Sequence, residues 1–300
     1  VFKDINPQLQ SKITPMSWDD LLHLLGQVKN HFVCIDEFPY LVASDPSLPS
    51  RLQKWLDHEE TCTIVLSGSS THMMHQTFLN NASPLYGRAL KIIHVKPLEF
   101  DHFLDYFTTP ENKKEMFLQY SLVGGVPKYW EFLEIKKPAV HNAQSLYFDE
   151  SAFLEMEPHR ILNDEGVFGT QPIHVLEAIG RGANKPSEIA AKINTRQTNL
   201  SRVFQQLIDT SLLHRELPFL ESTRTTKRTL YKLSDPVLKF WFHVFSPHRT
   251  RWRSYNSEKK KTLLALHASA VFEDFYRSKF PHGSRYWEND LEFDLVRLAP

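Results

Sequence analysis

The chain of 300 residues is poor in cysteine and in glycine, and it carries no net charge. Its two cysteines, Cys34 and Cys62, lie in or beside apolar runs. They read as small reduced core residues of a cytoplasmic protein, not as a disulfide or metal pair. Thirty-five Lys and Arg balance 35 Asp and Glu, so a polyanion partner has to be sought in local blocks of charge. No apolar run approaches the roughly 18 residues of a membrane span, and no signal-peptide pattern opens the chain. The phosphate-cradling motif G-x-x-x-x-G-K-[ST] occurs nowhere. Neither G-x-S-x-G nor a Cys/His catalytic arrangement stands out. His72 and His75 lack a second ligand pair at metal-site spacing, and Gly180-Arg181-Gly182 is a lone G-x-G.

What is present describes a globular protein of two or three domains: 41% hydrophobic and 23% charged residues over a length too great for one ordinary core. Its organising stretch is Phe32-Val33-Cys34-Ile35 running into Asp36-Glu37, with Phe38-Pro39-Tyr40-Leu41 behind. The apolar run suits a strand buried on both faces of a parallel sheet. Carboxylates at its C-terminal end sit where open α/β sheets bind ligands. Two readings stay open: acids that end a strand in solvent, or a Walker B segment. In the second, Asp36 holds the Mg²⁺ of a nucleotide and Glu37 polarises the attacking water.

Thr63-Ile64-Val65-Leu66 reads as a second strand, with a helix from Arg51 to His58 between the two. Strand, helix, strand is the right-handed crossover of a parallel sheet. It sets the Ser67-Gly68-Ser69-Ser70 loop beside the acidic pair, at the sensor position of P-loop ATPases. Ser17 with Asp19 and Asp20 starts a helix, and Trp18, Leu21, Leu22, Leu25 and Val28 give it an apolar face. Arg88, in Pro84-Leu85-Tyr86-Gly87-Arg88, either faces a phosphate or is a surface arginine in a turn. Ile92-Ile93-His94-Val95 reads as a third strand, and Phe100 to Val123 as mostly helical. Gly124-Gly125-Val126-Pro127 is a constrained turn between helices. The acids from Asp149 to Glu157 read as a solvated helix start, and residues 163–170 as a loop at a domain boundary.

Residues 171–233 read as a winged helix. Its helices start near Ile173 and Ser187, and a third carries Leu200, Val203, Phe204, Leu207 and Ile208 inward. Two strands, 212–217 and 229–233, flank a polar loop. The third helix shows Thr198 and Arg202 outward, and the loop carries Arg224, Lys227 and Arg228. That arrangement suits either DNA, with the helix in the major groove and the wing on phosphates, or a protein contact. From Arg224 to Lys261 eleven cations face only Asp235 and Glu258, a block that suggests a polyanion partner. Phe240 to Phe245 is aromatic and reads as core or interdomain packing. Glu273 on a helix and Asp294 on a half-buried strand (286–296) either share a divalent metal or are solvated acids.

In order, Ile-Asp-Glu-Phe-Pro-Tyr-Leu (35–41), Ser-Gly-Ser-Ser (67–70), Pro-Leu-Tyr-Gly-Arg (84–88) and Gly-Gly-Val-Pro (124–127) resemble the prokaryotic and archaeal AAA-type ATPases of the ATPase_2 group. The later stretches, 230–242, Phe272-Glu273 and 287–296, resemble that family's C-terminal DUF234 domain of restriction-endonuclease-like fold. The resemblance implies an α/β fold: a partial P-loop-type parallel sheet (1–97), a helical lid (98–170), a winged helix (171–236) and the start of a nuclease-like domain (237–300). It implies ATP and Mg²⁺ as cofactors, with Asp36 as metal ligand, Glu37 as catalytic base, Ser69 as sensor and Arg88 as candidate finger. The expectation is a cytoplasmic ATPase fragment whose phosphate loop lies upstream of Val1. Double-stranded DNA, a protein partner or an oligomer are the candidate assemblies. The alternatives are a DNA-binding regulator and a metal-dependent nuclease, the latter owing a Glu-x-Lys beyond Pro300.

Overall fold

The computed structural model describes residues 17–27, 32–58, 63–108, 112–222, 226, 228–280, 283–288 and 291–297. Two compact units emerge, one of residues 1–94 with 164–166, the other of 95–163 with 167–300.

The first unit begins with helix α1 (Trp18–Gly26), capped as its sequence demands: the Ser17 side chain accepts from Asp20 N at 3.1 Å. Strand β1 (Phe32–Ile35), helices α2 (Phe38–Ser44) and α3 (Leu48–Leu56), strand β2 (Thr63–Leu66) and helix α4 (Thr71–Phe78) follow. Pro49 in the first turn of α3 is preset for a helix start, so this helix opens ahead of the Arg51 expected from sequence. β1 and β2 pair in parallel, Phe32 opposite Thr63 through Ile35 opposite Leu66.

Three expectations for this unit are corrected. The strands are not buried on both faces. Val33, Ile35, Ile64 and Leu66 pack on a core of Leu22, Leu25, Phe38, Leu48, Leu52 and Leu85, while Phe32 (81% exposed) and Val65 (48%) face outward. A sheet of two described strands has helices on one face alone, so alternate residues are left uncovered. For the same reason Cys34 is exposed and is no core residue; Cys62 lies outside the described residues. Ile92-Ile93-His94-Val95 forms no strand: residues 91–99 have no regular structure, and Val95 is 93% exposed.

The second unit carries α5 (Phe100–Phe107), α6 (Lys113–Val123), α7 (Pro127–Trp130), α8 (Ala139–Ala143) running on as a π turn to Phe148, and α9 (Glu157–Asp164), whose last residue groups with the first unit. The helical stretch expected over 100–123 is split, because Thr108 takes a left-handed φ of 52° and Asn112 caps a new helix. Gly125 is required where it stands: a Cβ there would lie 2.1 Å from the Leu98 carbonyl oxygen. Glu157 is not solvated but 2% exposed, accepting from the Tyr129 hydroxyl and paired with Arg160. A buried carboxylate needs such partners.

Helices α10 (Thr170–Gly180), α11 (Pro186–Lys192) and α12 (Ser201–Asp209) precede antiparallel strands β3 (Leu213–Glu216) and β4 (Leu230–Leu233). Short α13 (Pro236–Phe240), the π turn Trp241–Phe245 and α14 (Ser246–His248) bury the aromatic run, as its composition requires. Then come α15 (Ser257–Ser278) and a hairpin of β5 (Ser284–Glu288) and β6 (Leu291–Val296). The stretch 286–296 is thus two strands and not one half-buried strand; Leu291 and Phe293 are exposed along with Glu292 and Asp294. Ion pairs knit these pieces together: Glu216 with Lys232 (2.9 Å) and Arg277, and Lys239 with Asp274. No described helix is long and apolar enough to cross a membrane.

Candidate functional site

Because β1 and β2 run parallel in register, they end together, and the residues after each end meet. Ser67 N donates to the Ile35 carbonyl at 3.0 Å, and Phe38 N donates to the Ser67 carbonyl at 2.9 Å. The Ser67 hydroxyl donates to Asp36 Oδ1 at 2.5 Å, and that oxygen also accepts from Glu37 N at 3.0 Å. Glu37 has left-handed backbone (φ 52°, ψ 41°), a conformation costing on the order of 1–3 kcal/mol that the surroundings must impose. It turns the Glu37 side chain away from capping α2 and toward Ser69, whose N–H (3.3 Å) and hydroxyl (3.0 Å) both donate to Oε2. The loop presses on the start of α2 so closely that a Cβ on Gly68 would lie 2.5 Å from Pro39 Cδ. The small-residue sequence Ser-Gly-Ser follows from that approach.

The far end of this loop is held by a residue that sequence reading missed. Glu165, buried, belongs to the short 164–166 piece of the first unit. Its carboxylate accepts from Thr71 N (3.2 Å), His72 N (3.0 Å) and the Ser70 hydroxyl (3.4 Å). A carboxylate at a helix N-terminus satisfies unpaired N–H groups and complements the helix dipole. Ser70 itself accepts from Met73 N at 3.2 Å. Glu165 stands more than 90 residues from the helix it caps, so no local pattern could have flagged it.

Of the remaining expected site residues in this unit, Arg88 is engaged elsewhere. Its Nε and Nη2 donate to Asp57 at 2.9 and 3.1 Å, and its Nη1 donates to the Pro84 carbonyl at 3.1 Å. The fork anchors the 83–88 turn to the end of α3, and its hydrogen bonds hold the Asp57 carboxyl below the usual carboxylate range.

In the second unit, Thr198 lies in a 3₁₀ turn before α12 and Arg202 on α12, both exposed. Arg224 and Lys227 lie outside the described residues. Arg228 is paired with Glu221, lies 3.5 Å from Glu288, and donates to the Trp287 carbonyl at 3.2 Å. Glu273 lines a cavity of about 180 Å³ with Asp274, Lys232, Lys239 and Arg285. Asp294 lies 3.8 Å from Arg285 Nε. Among the described residues no three His, Cys, Asp or Glu side chains are grouped to hold a metal.

No family model matches the chain. It is similar to uncharacterized protein MJECL04 of Methanocaldococcus jannaschii, with 27% identity over 301 residues that make up 94% of this chain and 66% of the relative. The chain thus spans just under two thirds of that relative's length. Among solved structures it resembles the Walker-type ATPase PABY2304 of Pyrococcus abyssi, with a TM-score of 0.55 and 16% identity over 81% of this chain and 75% of that one. At that identity the likeness is one of fold: the chain has an ATPase-like α/β fold.

Proposed function

We propose that the first unit is the acidic-strand half of a Walker-type nucleotide site and that the protein to which it belongs hydrolyses ATP. One observation carries the reading: the register of β1 on β2 brings Asp36, Glu37, Ser67 and Ser69 to one sheet end, each hydrogen-bonded to another. Asp36 fits a Mg²⁺ ligand, since it is an exposed carboxylate of oxygen chemistry at a strand end. Mg²⁺ characteristically takes one or two carboxylates and completes its shell with phosphates and water, so no larger acidic cluster is needed. When bound, the ion neutralises charge on the phosphates.

Glu37 orients the attacking water and accepts its proton. Ser69 holds Oε2, which leaves Oε1 without a protein partner among the described residues and free to take that water. Ser67 fixes the rotamer of Asp36. Arg88 acts as a finger only after leaving Asp57. We read α10 to β4 as a winged helix and α15 with the β5–β6 hairpin as the start of a nuclease-like domain, in which Glu273 and Asp294 are the candidate metal ligands. In protein carrying the phosphate loop, Asp36→Asn should abolish Mg²⁺-dependent tightening of ATP binding. ATP affinity equally responsive to Mg²⁺ in that variant would overturn the assignment of Asp36.

A further inference from the structure

Six cations fall between Arg249 and Lys261 of the second unit, against the single acid Glu258. They are carried on a rigid frame. After α14 a turn leads into a 3₁₀ segment, Trp252–Ser254, and Asn256 then caps α15, its side chain accepting from Lys259 N at 2.9 Å. Trp252 is fully buried, stacked on Phe148 at 4.1 Å, and its Nε1 donates to Gln144 Oε1 at 2.8 Å. Two of the six charges are spoken for: Arg249 pairs with Glu155, and Lys260 lies over the Trp252 ring at 5.4 Å. Arg251, Arg253, Lys259 and Lys261 are exposed and make no ion pair with a described acid.

Their placement costs stability. Lys259, Lys260 and Lys261 occupy the first turns of a 22-residue helix, the end that is already positive and where acids are the stabilising choice. The charges also converge: after burial, it is Lys259 and Arg251 that hold the His248 imidazole below its ordinary value. A concentration of unpaired cations kept at an unfavourable position is explained by an anionic partner that offsets it.

We propose that Arg251, Arg253, Lys259 and Lys261 form a nucleic-acid docking surface that grips the phosphate backbone without regard to sequence. The surface offers charge alone. Membrane-surface binding adds inserted apolar side chains to cationic attraction, yet over 248–262 Trp252 is buried and Tyr255 half-buried. The guanidinium groups of Arg251 and Arg253 suit bidentate contact with phosphate. By contrast the described cation of the β3–β4 loop, Arg228, is consumed by Glu221. This surface belongs to the second unit, and the proposal holds whether or not ATP is the first unit's ligand.

The test is fluorescence anisotropy of the full chain with a labelled duplex of about 20 base pairs, without nucleotide, between about 50 and 200 mM salt. Four phosphate contacts give a slope of about −3.6 in log K against log salt. Replacing all four residues by Gln should weaken binding at least tenfold and remove most of that slope, with circular dichroism reporting an unchanged fold. Should the fourfold variant misfold, Arg251→Gln and Lys261→Gln singly should each lower the slope by about 0.9. An Arg202→Ala/Arg228→Ala double variant should keep the wild-type slope. The proposal is overturned if wild type fails to bind duplex at the lowest salt. It is equally overturned if the Gln variants bind as wild type does, if the loss falls on the Arg202/Arg228 variant, or if anionic vesicles or polyglutamate compete for the chain more strongly than DNA.

Discussion

The two units invest their residues differently. Among the described residues, the first buries a cluster of six apolar side chains under one face of its two strands and leaves Phe32, Val65 and Ile93 in solvent. The second buries forty-two described side chains in one continuous cluster, in which Phe100 meets Phe117, and Phe103 meets Tyr120, edge to face. At roughly 1.5–3 kcal/mol per fully buried large side chain, the described core of the first unit contributes far less burial than that of the second. Yet the first unit holds the strained Glu37, the acidic strand end and the serine loop. Candidate chemistry sits on the scaffold with the smaller described core, where point contacts such as Glu165 on Thr71 and His72 hold the end of the serine loop.

Equivalent truncations in the two cores should expose that difference most visibly. Phe38 and Phe240 are both fully buried, and each change to Ala costs about 3–5 kcal/mol. In calorimetry Phe38→Ala should abolish a low-temperature transition, leaving the second unit's melting untouched. Phe240→Ala should lower the high-temperature transition without erasing it. A single transition that both variants shift alike would show that the units do not differ in stability.

The second unit should also be the acid-sensitive one. His267 is fully buried: its Nε2 donates to the Ser121 carbonyl at 2.7 Å, and burial pushes its pKa down to about 3. In the unfolded chain it titrates near 6.5, so below that pH the unfolded state binds a proton that the folded state refuses. The stability this group contributes is therefore whole above pH 6.5 and drains away as pH falls toward 3, by up to about 1.4 kcal/mol per pH unit. His214 and His243, also lowered by burial, act in the same direction. His267→Phe, which keeps a ring against Phe240 (5.1 Å), should make the acid dependence shallower by one proton. Urea melts at several pH values check this, and an unchanged slope would contradict it.

The smallest expected effect is at Glu165. Removing an N-cap-type acceptor costs about 1 kcal/mol, so Glu165→Ala should raise amide exchange at Thr71 and His72 by roughly tenfold or less. If the cap also steadies the serine loop, the Ser69 amide will follow. Faster exchange at Thr71 and His72 with Ser69 unchanged would limit Glu165 to the helix end.

Local chemistry was legible in the sequence, and its three-dimensional company was not. The Ser17 cap, the Gly124-Gly125 turn and the helices and hairpin of 170–233 follow from capping, steric and periodicity rules that act over a few residues. The exposed face of β1 could not be read, because an apolar run looks the same whether one face or two are covered. Glu157 was misjudged as solvated, since its partners Tyr129 and Arg160 are supplied by the fold. Glu165 and Arg88 show the same limit: each is defined by a distant partner, Thr71 and His72 for one, Asp57 for the other.

The central claim is that the end of β1 is a catalytic nucleotide site, and the most direct measurement is Mg²⁺-ATP turnover beside ATP affinity for Glu37→Gln in protein carrying the phosphate loop. The account predicts unchanged affinity with turnover lowered roughly 10²- to 10⁴-fold, because a base is removed while Asp36 remains. Turnover equal to wild type would contradict it.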